Sequence, residues 1–507
     1  MRCMLDTSAP SPAAVAPAIF LETYGCQMNV LDSELVRGQF ESLGYRFVDT
    51  PEQAGIVLMN TCSVRALSEQ KVWSFLGRLG LAKKDRSKLI IGVLGCMAER
   101  EGPAILKRMP HVDVVCGPSH LDRLPGLIDN ARQNKGSQAA LAGHVSRRSA
   151  VRDLASDGVE ALDMSRSLTA IAAPGGVRRQ AYVRITRGCN KFCAFCVVPY
   201  TRGPEVHRPA AHIVAEIQKL VDGGVREVTL IGQTVNHYEF EDGGKTTSFA
   251  DLLSQVHEGV PDLWRLRFLT SYPRDFTNDA LDVMAQSARI CPYLHIPVQS
   301  GSNSVLKRMN RGYSVEGYFD LLERARSRMP NIRLAGDMIV GFSGESEQDH
   351  QASLELLRQA RYKSCYVFKY SPRSGTLAAR RLPDDVPEAE KKARNLQMLA
   401  VQSEISLTHH QALIGQDVQV LVEGQNPLKP RSAAAVGPKL VSLGNKAAVP
   451  AAPRPARPGD VRLMGRTVGD ELVAFDGPAS WVGERIMVRG VAATPLTLLG
   501  EARNFDA

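Results

Sequence analysis

The stretch Arg187-Gly-Cys-Asn-Lys-Phe-Cys-Ala-Phe-Cys196 decides what the centre of this 507-residue chain can be. It spaces three cysteines, Cys189, Cys193 and Cys196, as CxxxCxxC. Iron–sulfur clusters are held by cysteine thiolates, and a cluster of four irons with three thiolates keeps one iron open for a reacting molecule. A structural zinc site is the alternative, but it usually has four ligands in paired CxxC groups, and the sequence has no second pair. The spacing therefore predicts a reactive iron–sulfur cluster.

A second set of cysteines follows from periodicity. Residues 18–135 alternate between strand-like and helix-like segments, which predicts a parallel sheet wrapped by helices. Three predicted strands end at a cysteine, Cys26, Cys62 and Cys96, at intervals of 36 and 34 residues. Because the carboxyl ends of parallel strands share one edge of a sheet, these thiols can converge. The pattern predicts a second three-cysteine cluster.

Two alternatives stay open for this second set. Free cysteine is often a small buried hydrophobe, so the three thiols could be separate core residues. Cys116 also ends a predicted strand, and as a fourth ligand it would close the cluster. The core-thiol interpretation is the one favoured for Cys116.

Residues 179–407 repeat the strand–helix alternation about six times, which predicts a partial (βα)6 barrel with its chemistry at the carboxyl face of the strands. The cysteine loop follows the first of these strands. Further polar or glycine positions fall on the same face and are predicted to contact a cofactor: Gln233, Asn236, Ser300, Asp337 and Gly341.

The flanking regions differ in pattern. Residues 136–178 are predicted to be a linker, and residues 408–503 show short period-two segments typical of a small all-β barrel that binds oligonucleotides. Within that barrel, residues 425–459 form a basic insert rich in proline and alanine. It is predicted to be a mobile loop that favours a phosphate backbone, or else a solvated spacer.

Composition limits where the protein works. Ten cysteines, several in a cluster motif, favour a reducing compartment, so a cytoplasmic location is expected. No apolar run reaches membrane-spanning length, and the first 17 residues are predicted to be a disordered tail without a signal peptide. The net charge of +9 suits a polyanionic partner such as RNA.

With both cysteine sets in view, the chain resembles the methylthiotransferase family of the radical S-adenosylmethionine (SAM) superfamily, in its MiaB-type tRNA branch. The stretches that carry the resemblance are Glu22-Thr-Tyr-Gly-Cys-Gln-Met-Asn29, Asn60-Thr-Cys-Ser-Val-Arg65, Gly92-Val-Leu-Gly-Cys96, Arg187-Gly-Cys-Asn190, Cys196-Val-Val-Pro-Tyr-Thr-Arg-Gly203, His295-Ile-Pro-Val-Gln-Ser-Gly301 and Tyr370-Ser-Pro-Arg-Ser-Gly-Thr376. The chain departs from the family pattern at Pro204, His207, Thr234 and Ser343.

The resemblance implies a multidomain α/β protein: an amino-terminal methylthiotransferase domain, a radical SAM partial barrel and a carboxy-terminal TRAM barrel. It implies two 4Fe–4S clusters, one on each cysteine set, and two SAM molecules per turnover. Phe195 would pack on the adenine of SAM. The implied reaction is methylthiolation of carbon 2 of N6-isopentenyladenosine at tRNA position 37, next to the anticodon.

The implied partners are the tRNA anticodon stem-loop, an electron donor such as flavodoxin or ferredoxin, and a sulfur or iron–sulfur supply protein. A monomer without membrane contact is expected. Sister branches that modify threonylcarbamoyladenosine in tRNA or a ribosomal protein aspartate are alternatives within the enzyme class. A non-enzymatic RNA-binding iron–sulfur protein is the alternative outside it.

Overall fold

The computed structural model describes residues 17–63, 66–142, 158–166, 179–425 and 459–503. The predicted amino-terminal tail and most of the predicted basic insert lie outside the described residues. The chain divides into two compact units, one of Met1–Ala170 with Tyr200–Gly203 and one of Ile171–Pro199 with Pro204–Ala507. No helix in the described ranges combines the length and the apolar character needed to cross a bilayer.

The first unit is a parallel sheet covered by helices. Its strands are β1 (Ala18–Tyr24), β2 (Arg46–Phe47), β3 (Ile56–Thr61), β4 (Ile90–Leu94), β5 (Val114–Cys116) and β6 (Gln138–Ala140). Its helices are α1 (Gln27–Ser42), α2 (Ala66–Asp85), α3 (Cys96–Arg108), α4 (Leu124–Arg132) and α5 (Gly158–Met164). The strand order is β2-β1-β3-β4-β5-β6, and every pairing is parallel.

The central strands of this sheet explain why the amino-terminal prediction was confirmed. Every residue of β3 and β4 is buried, as expected for parallel strands with helices on both faces. Two hydrophobic clusters, one around Val57 and Met97 and one around Ile19 and Phe40, pack on the sheet. Strand β6 and helix α5 fall inside the stretch that was predicted to be a linker.

The second unit contains the predicted partial barrel. Its main strands are β7 (Gln180–Arg184), β10 (Glu227–Ile231), β13 (Arg265–Phe268), β14 (Tyr293–His295), β15 (Arg333–Val340) and β16 (Ser364–Lys369). Shorter strands are β8 (Thr186–Arg187), β9 (Val206–His207), β11 (Glu239–Asp242) and β12 (Lys245–Ser248). Helix α6 (Val198–Thr201) has residues in both units. The other helices of the second unit are α7 (Ala210–Asp222), α8 (Phe249–Gly259), α9 (Asn278–Gln286), α10 (Asn303–Arg308), α11 (Val315–Arg328), α12 (Glu347–Ala360), α13 (Leu377–Arg381) and α14 (Glu388–Gln411).

The six main strands confirm the predicted partial (βα)6 barrel. They form two parallel three-stranded sheets, β13-β10-β7 and β14-β15-β16, joined by a parallel bridge between Leu266 and Ile290. One large hydrophobic cluster fills the space between these strands and their helices. The carboxyl ends of the strands therefore form one continuous edge.

The carboxy-terminal residues form a closed all-β barrel, as predicted. Its strands, in the order β17-β18-β19-β21-β20, are β17 (Asp417–Gln425), β18 (Val461–Arg466), β19 (Leu472–Gly477), β20 (Arg485–Ala493) and β21 (Leu498–Ala502). The short strand β21 has little alternation of its own and is held by its pairing with β19 and β20. Backbone carbonyls of Arg466 and Val468 accept hydrogen bonds from Arg265 and Arg267 on β13.

Candidate metal centres

Three cysteines of the first unit meet at one edge of its sheet. Cys26 follows β1, Cys62 follows β3 and Cys96 begins α3 directly after β4. Since β1, β3 and β4 are neighbours in the sheet, the three positions are adjacent. The Cys62 side chain hydrogen-bonds with Cys26. We call this set the remote triad.

Two glycines allow the remote triad to close. Gly25 has φ +138°, and a Cβ added to it would lie 2.5 Å from the Cβ of Cys62. Gly95 has φ +86°, and a Cβ there would clash with the side-chain oxygen of Asn60. An L-residue with a side chain would be strained at either position. The Gly-Cys pairs at residues 25–26 and 95–96 therefore have a steric cause.

A buried arginine completes the remote triad. Arg202 belongs to the four-residue segment Tyr200–Gly203 of the first unit. Its Nε donates to Cys96 Sγ over 3.3 Å, and its Nη2 donates to Asp32 Oδ2 over 2.8 Å. Both Arg202 and Asp32 are buried. The sequence analysis did not identify either residue as part of the site.

These surroundings shift the pKa values of two thiols of the remote triad in opposite directions. The hydrogen bond with Cys62 is the main reason why the pKa of Cys26 lies well below its usual range, and the Arg202 charge and the first amides of α1 lower that pKa further. Burial raises the pKa of Cys96. Asn29 accepts from the Cys26 thiol at 3.3 Å and donates to Asn60 at 2.9 Å, so the edge is held by polar contacts.

Cys116 lies apart from this set. Its side chain is buried in the hydrophobic cluster around Ile19 and Phe40. Its Sγ donates to the backbone oxygen of His120 over 3.2 Å, and burial raises its pKa. This environment supports the core-thiol interpretation of Cys116.

The second set, which we call the loop triad, is formed by Cys189, Cys193 and Cys196 after β8. Cys189 and Cys193 are buried, and the Cys196 amide donates to the Cys193 carbonyl over 3.0 Å. The loop is pinned in its middle, because Ala194 donates to the Met309 carbonyl and accepts from the Ala378 amide, each at 2.8 Å. These two hydrogen bonds fix the backbone of the eight-residue loop that carries the three cysteines.

The loop triad also has a buried arginine. Arg311 Nη1 donates to Cys193 Sγ over 3.2 Å, and the same guanidinium donates to the Pro297 carbonyl and to the Tyr313 hydroxyl, each at 2.8 Å. Burial raises the pKa of Cys189 to about 12. Burial raises the pKa of Cys196 as well, and the two neighbouring thiols add to this effect. These thiols would ionise only with a cation among them.

Both triads fit an iron–sulfur cluster. Each offers three thiols, and all nine cysteines in the described ranges are free of disulfides. Arg311 is buried, and its hydrogen-bond partners within the described residues are a hydroxyl, a thiol and a carbonyl rather than a carboxylate. A buried cation without a carboxylate is costly unless an anionic group lies beside it, and a cluster held by thiolates is such a group.

Other predicted residues lie along the same edge of the barrel. Phe195 packs with Phe342 and Ile339 in a small apolar cluster beside the loop triad. The side-chain oxygens of Gln233 and Ser271 are buried without a hydrogen-bond partner. Orphaned polar atoms at this edge suit a polar cosubstrate such as SAM.

Four predicted cofactor contacts already have protein partners. Both ends of the Asn236 side-chain amide bond the backbone of Tyr272, at 2.9 and 2.7 Å. Asp337 forms a hydrogen bond with His295 at 3.1 Å. The Ser300 hydroxyl contacts the Ser353 hydroxyl of α12 and accepts a hydrogen bond from the Ser302 amide. Gly341 gives room to the Lys391 side chain. Cofactor contact by these residues stays a prediction.

Two aromatic side chains are exposed on strand β16. Tyr366 and Phe368 are 57% and 42% exposed. They pair with Asp337 and Ile339 of β15, and along β16 they alternate with Cys365 and Val367, which pack in the large hydrophobic cluster between the strands and their helices. The two rings therefore lie on the strand face that is turned away from the helices.

Comparison with known proteins agrees with the cysteine pattern. Residues 183–357 match the radical SAM superfamily, and residues 18–117 match a family described as uncharacterized protein family UPF0004. The solved radical SAM methyltransferase TsrM from Kitasatospora setae aligns with a TM-score of 0.51 at 15% identity, over 72% of this chain and 74% of that chain. That likeness concerns the fold alone. The fold and the loop triad define a radical SAM enzyme.

Curated relatives match almost the whole chain. One from Rhodopirellula baltica is 38% identical over 97% of this chain and 97% of its own length. One from Syntrophotalea carbinolica is 40% identical over 96% of this chain and 99% of its own length. Both are named tRNA-2-methylthio-N(6)-dimethylallyladenosine synthase. The chain belongs to this family of radical SAM methylthiotransferases, and the predicted resemblance is confirmed.

Proposed function

We propose that this protein attaches a methylthio group to carbon 2 of N6-isopentenyladenosine at tRNA position 37, using two 4Fe–4S clusters and two SAM molecules per turnover. The names of the relatives support the substrate. The observation that carries the two-cluster assignment is that each triad combines three thiols with one buried arginine that donates to a sulfur.

Carbon 2 of adenine carries an unactivated hydrogen that side-chain acids and bases do not remove at a useful rate. When bound, the clusters and SAM would supply the missing chemistry, a radical that takes this hydrogen and a methylated sulfur that replaces it. The protein's part is to bind and orient. The loop triad would hold one cluster and the remote triad the other, with Arg311 and Arg202 each donating to one thiolate.

The exposed rings of Tyr366 and Phe368 suit the target base. Bases in an anticodon loop are unstacked and bind proteins by stacking on aromatic side chains. The two rings are on the uncovered face of β16, and Ile339 of the neighbouring strand packs in the same cluster as Phe195. The closed carboxy-terminal barrel, consistent with a TRAM domain, supports a further contact with tRNA.

Radical formation from SAM needs an electron, so a donor such as flavodoxin or ferredoxin is part of the proposal. A sulfur or iron–sulfur supply protein would replace the sulfur that leaves with each product. The cytoplasm is the compartment where nine free cysteines of the described chain would stay reduced.

The substrate is tested by nucleoside mass spectrometry of tRNA from a strain that lacks the gene. We expect the wild-type gene and the Cys116→Ala control to restore methylthio-isopentenyladenosine, and Cys62→Ala to leave isopentenyladenosine without the methylthio group. Unchanged methylthiolation with Cys62→Ala would refute the assignment of the remote triad. Loss of methylthio from threonylcarbamoyladenosine, or from a ribosomal protein aspartate, would identify a sister branch.

The radical step has its own assay. Purified protein with SAM and dithionite should release 5'-deoxyadenosine, and Cys193→Ala should reduce the amount to background, because the loop triad loses a ligand. Release at the wild-type rate by Cys193→Ala would contradict the role of this triad. If the wild-type protein carried its clusters and cleaved no SAM, an RNA-binding iron–sulfur protein would be the better description.

A further inference from the structure

A third group of metal-ligating side chains lies in the second unit. The ligand atoms of Glu205, His207 and His237 all lie within 4.8 Å of one another. Glu205 directly precedes β9, whereas His237 ends a single 3-10 turn after β10. The proposed function uses none of these residues.

The separations between these atoms suit a metal ion. His237 Nδ1 lies 3.0 Å from Glu205 Oε2, and His207 Nε2 lies 3.6 Å from Glu205 Oε1. Around tetrahedral zinc, bonds of about 2.0 to 2.1 Å put neighbouring ligand atoms about 3.3 Å apart. The two separations, each to a different oxygen of Glu205, lie on either side of that value.

Outer contacts hold two of the three groups in a ligand orientation. Nδ1 of His207 contacts the backbone carbonyl oxygen and amide of Glu239, so Nε2 is the ring atom turned toward Glu205. The Thr234 hydroxyl donates to Glu205 Oε1 over 2.8 Å. A ring nitrogen on a backbone carbonyl and a hydrogen-bonded carboxylate are the usual supports of metal ligands.

The chemistry of the group also suits a cation, because it brings one carboxylate and two imidazoles together. The nearby cation Lys191 forms an ion pair with Asp275 at 2.5 Å, which offsets its charge.

We propose that Glu205, His207 and His237 form a binding site for a divalent transition-metal ion of the zinc class. Two imidazoles and one carboxylate are donors that such ions accept, and three protein ligands leave a position for water. The site is separate from both cysteine triads and does not depend on the proposed function.

A bound ion would tie together two segments beside the loop triad. The Glu205 amide donates to Asn190 Oδ1 over 3.2 Å, and Asn190 directly follows Cys189. The ion would link this segment to the turn that ends at His237. We therefore expect the ion to fix the position of these two segments beside the cysteine loop.

The test is zinc binding by the cluster-loaded protein. Wild type, His207→Ser and His237→Ala are equilibrated with buffered Zn²⁺ and freed of excess, and zinc and iron per chain are measured by elemental mass spectrometry. We expect the wild type to hold one zinc more than either variant and to bind it at least tenfold more tightly. His257→Ala is the matched control, because the His257 ring forms its hydrogen bonds with the Ser287 and Arg289 side chains and the variant should leave zinc binding unchanged.

Zinc bound by the cysteines does not affect the difference in zinc per chain between the wild type and a histidine variant when all proteins carry the same iron per chain, because equal iron shows that the cysteines are occupied to the same extent. Co²⁺ gives a second readout, since wild type should show visible d–d bands that His237→Ala lacks, while thiolate charge-transfer bands stay equal. Equal zinc in wild type and both histidine variants would overturn the proposal. Absence of bound zinc, or a cobalt spectrum with thiolate bands only, would overturn it as well.

Discussion

The loop triad and the remote triad reach the same number of thiols by different routes. Cys189, Cys193 and Cys196 lie within one loop, whereas Cys26, Cys62 and Cys96 come from three neighbouring strands. Each route ends with an arginine that donates to one sulfur at 3.2 or 3.3 Å. The convergence suggests that a buried guanidinium is part of what a three-thiol site requires.

The two arginines differ in what neutralises them. Arg202 forms a buried ion pair with Asp32 at 2.8 Å, but Arg311 is balanced by carbonyl, hydroxyl and aromatic groups alone within the described residues. The charge of Arg202 is therefore offset by a carboxylate, whereas no carboxylate of the described residues forms an ion pair with Arg311. The two sites should differ in redox behaviour although their ligands are identical.

The largest effect is expected from removal of a cysteine in either triad. With two cubanes, the anaerobically reconstituted protein should hold about eight irons per chain. Cys62→Ala and Cys193→Ala should each hold about four, because each loses one cluster. Cys116→Ala, the control for a buried thiol outside the triads, should keep all of them. About four irons per chain in the wild type would contradict the presence of two clusters.

The iron-free protein should show a difference in thiol reactivity. The thiolate is the nucleophile, and the lowered pKa of Cys26 keeps this thiolate present at neutral pH, whereas Cys189, with a pKa raised to about 12, stays protonated until strongly alkaline pH. At pH 7.5 we expect iodoacetamide to label Cys26 at least tenfold faster, measured by peptide mass spectrometry. As the pH falls through the lowered pKa of Cys26, its labelling should slow. Equal rates at pH 7.5 would contradict the pKa difference.

The smallest effect should appear in the reduction potentials. Reduction adds negative charge, so loss of a donor arginine should lower the potential of the adjacent cluster. A hydrogen bond to a charged group contributes about 1.5 to 3 kcal/mol, so we expect about 100 mV for Arg311→Met and a smaller shift for Arg202→Met, whose charge Asp32 offsets.

The two shifts can be measured one at a time by EPR-monitored titration. Arg311→Met is combined with Cys62→Ala, and Arg202→Met with Cys193→Ala, so that a single cluster is present in each protein. The Arg→Lys variants keep the charge and should shift the potential less than the Arg→Met variants. A larger shift at Arg202 than at Arg311 would reverse the comparison.

The sequence predicted the parts of this structure that local periodicity encodes. Buried strands such as β3 and β4 are continuous apolar runs, so their carboxyl ends, and with them Cys62 and Cys96, could be assigned to one edge. The loop triad lies within eight consecutive residues, so it could be recognised from its spacing without any prediction of the fold. A short strand such as β21 is not encoded in this way, because its pairing with β19 and β20 holds it and its own pattern is weak.

The arginines were missed for a related reason. A hydrogen bond between Arg202 and Cys96 joins residues 106 positions apart, and no periodicity reports such a contact. The sequence held one indirect signal, because Arg202 lies within Cys196–Gly203, a stretch that carries the family resemblance. Arg311 lay outside every stretch that was singled out.

The assignment of Tyr200–Gly203 to the first unit has a consequence for engineering. A chimera that joins the amino-terminal half of one relative to the remainder of another would import this segment from the wrong parent. Arg202 would then face an Asp32 and a Cys96 with which it did not evolve. Exchange of modules between relatives should succeed only when the four residues travel with the amino-terminal half.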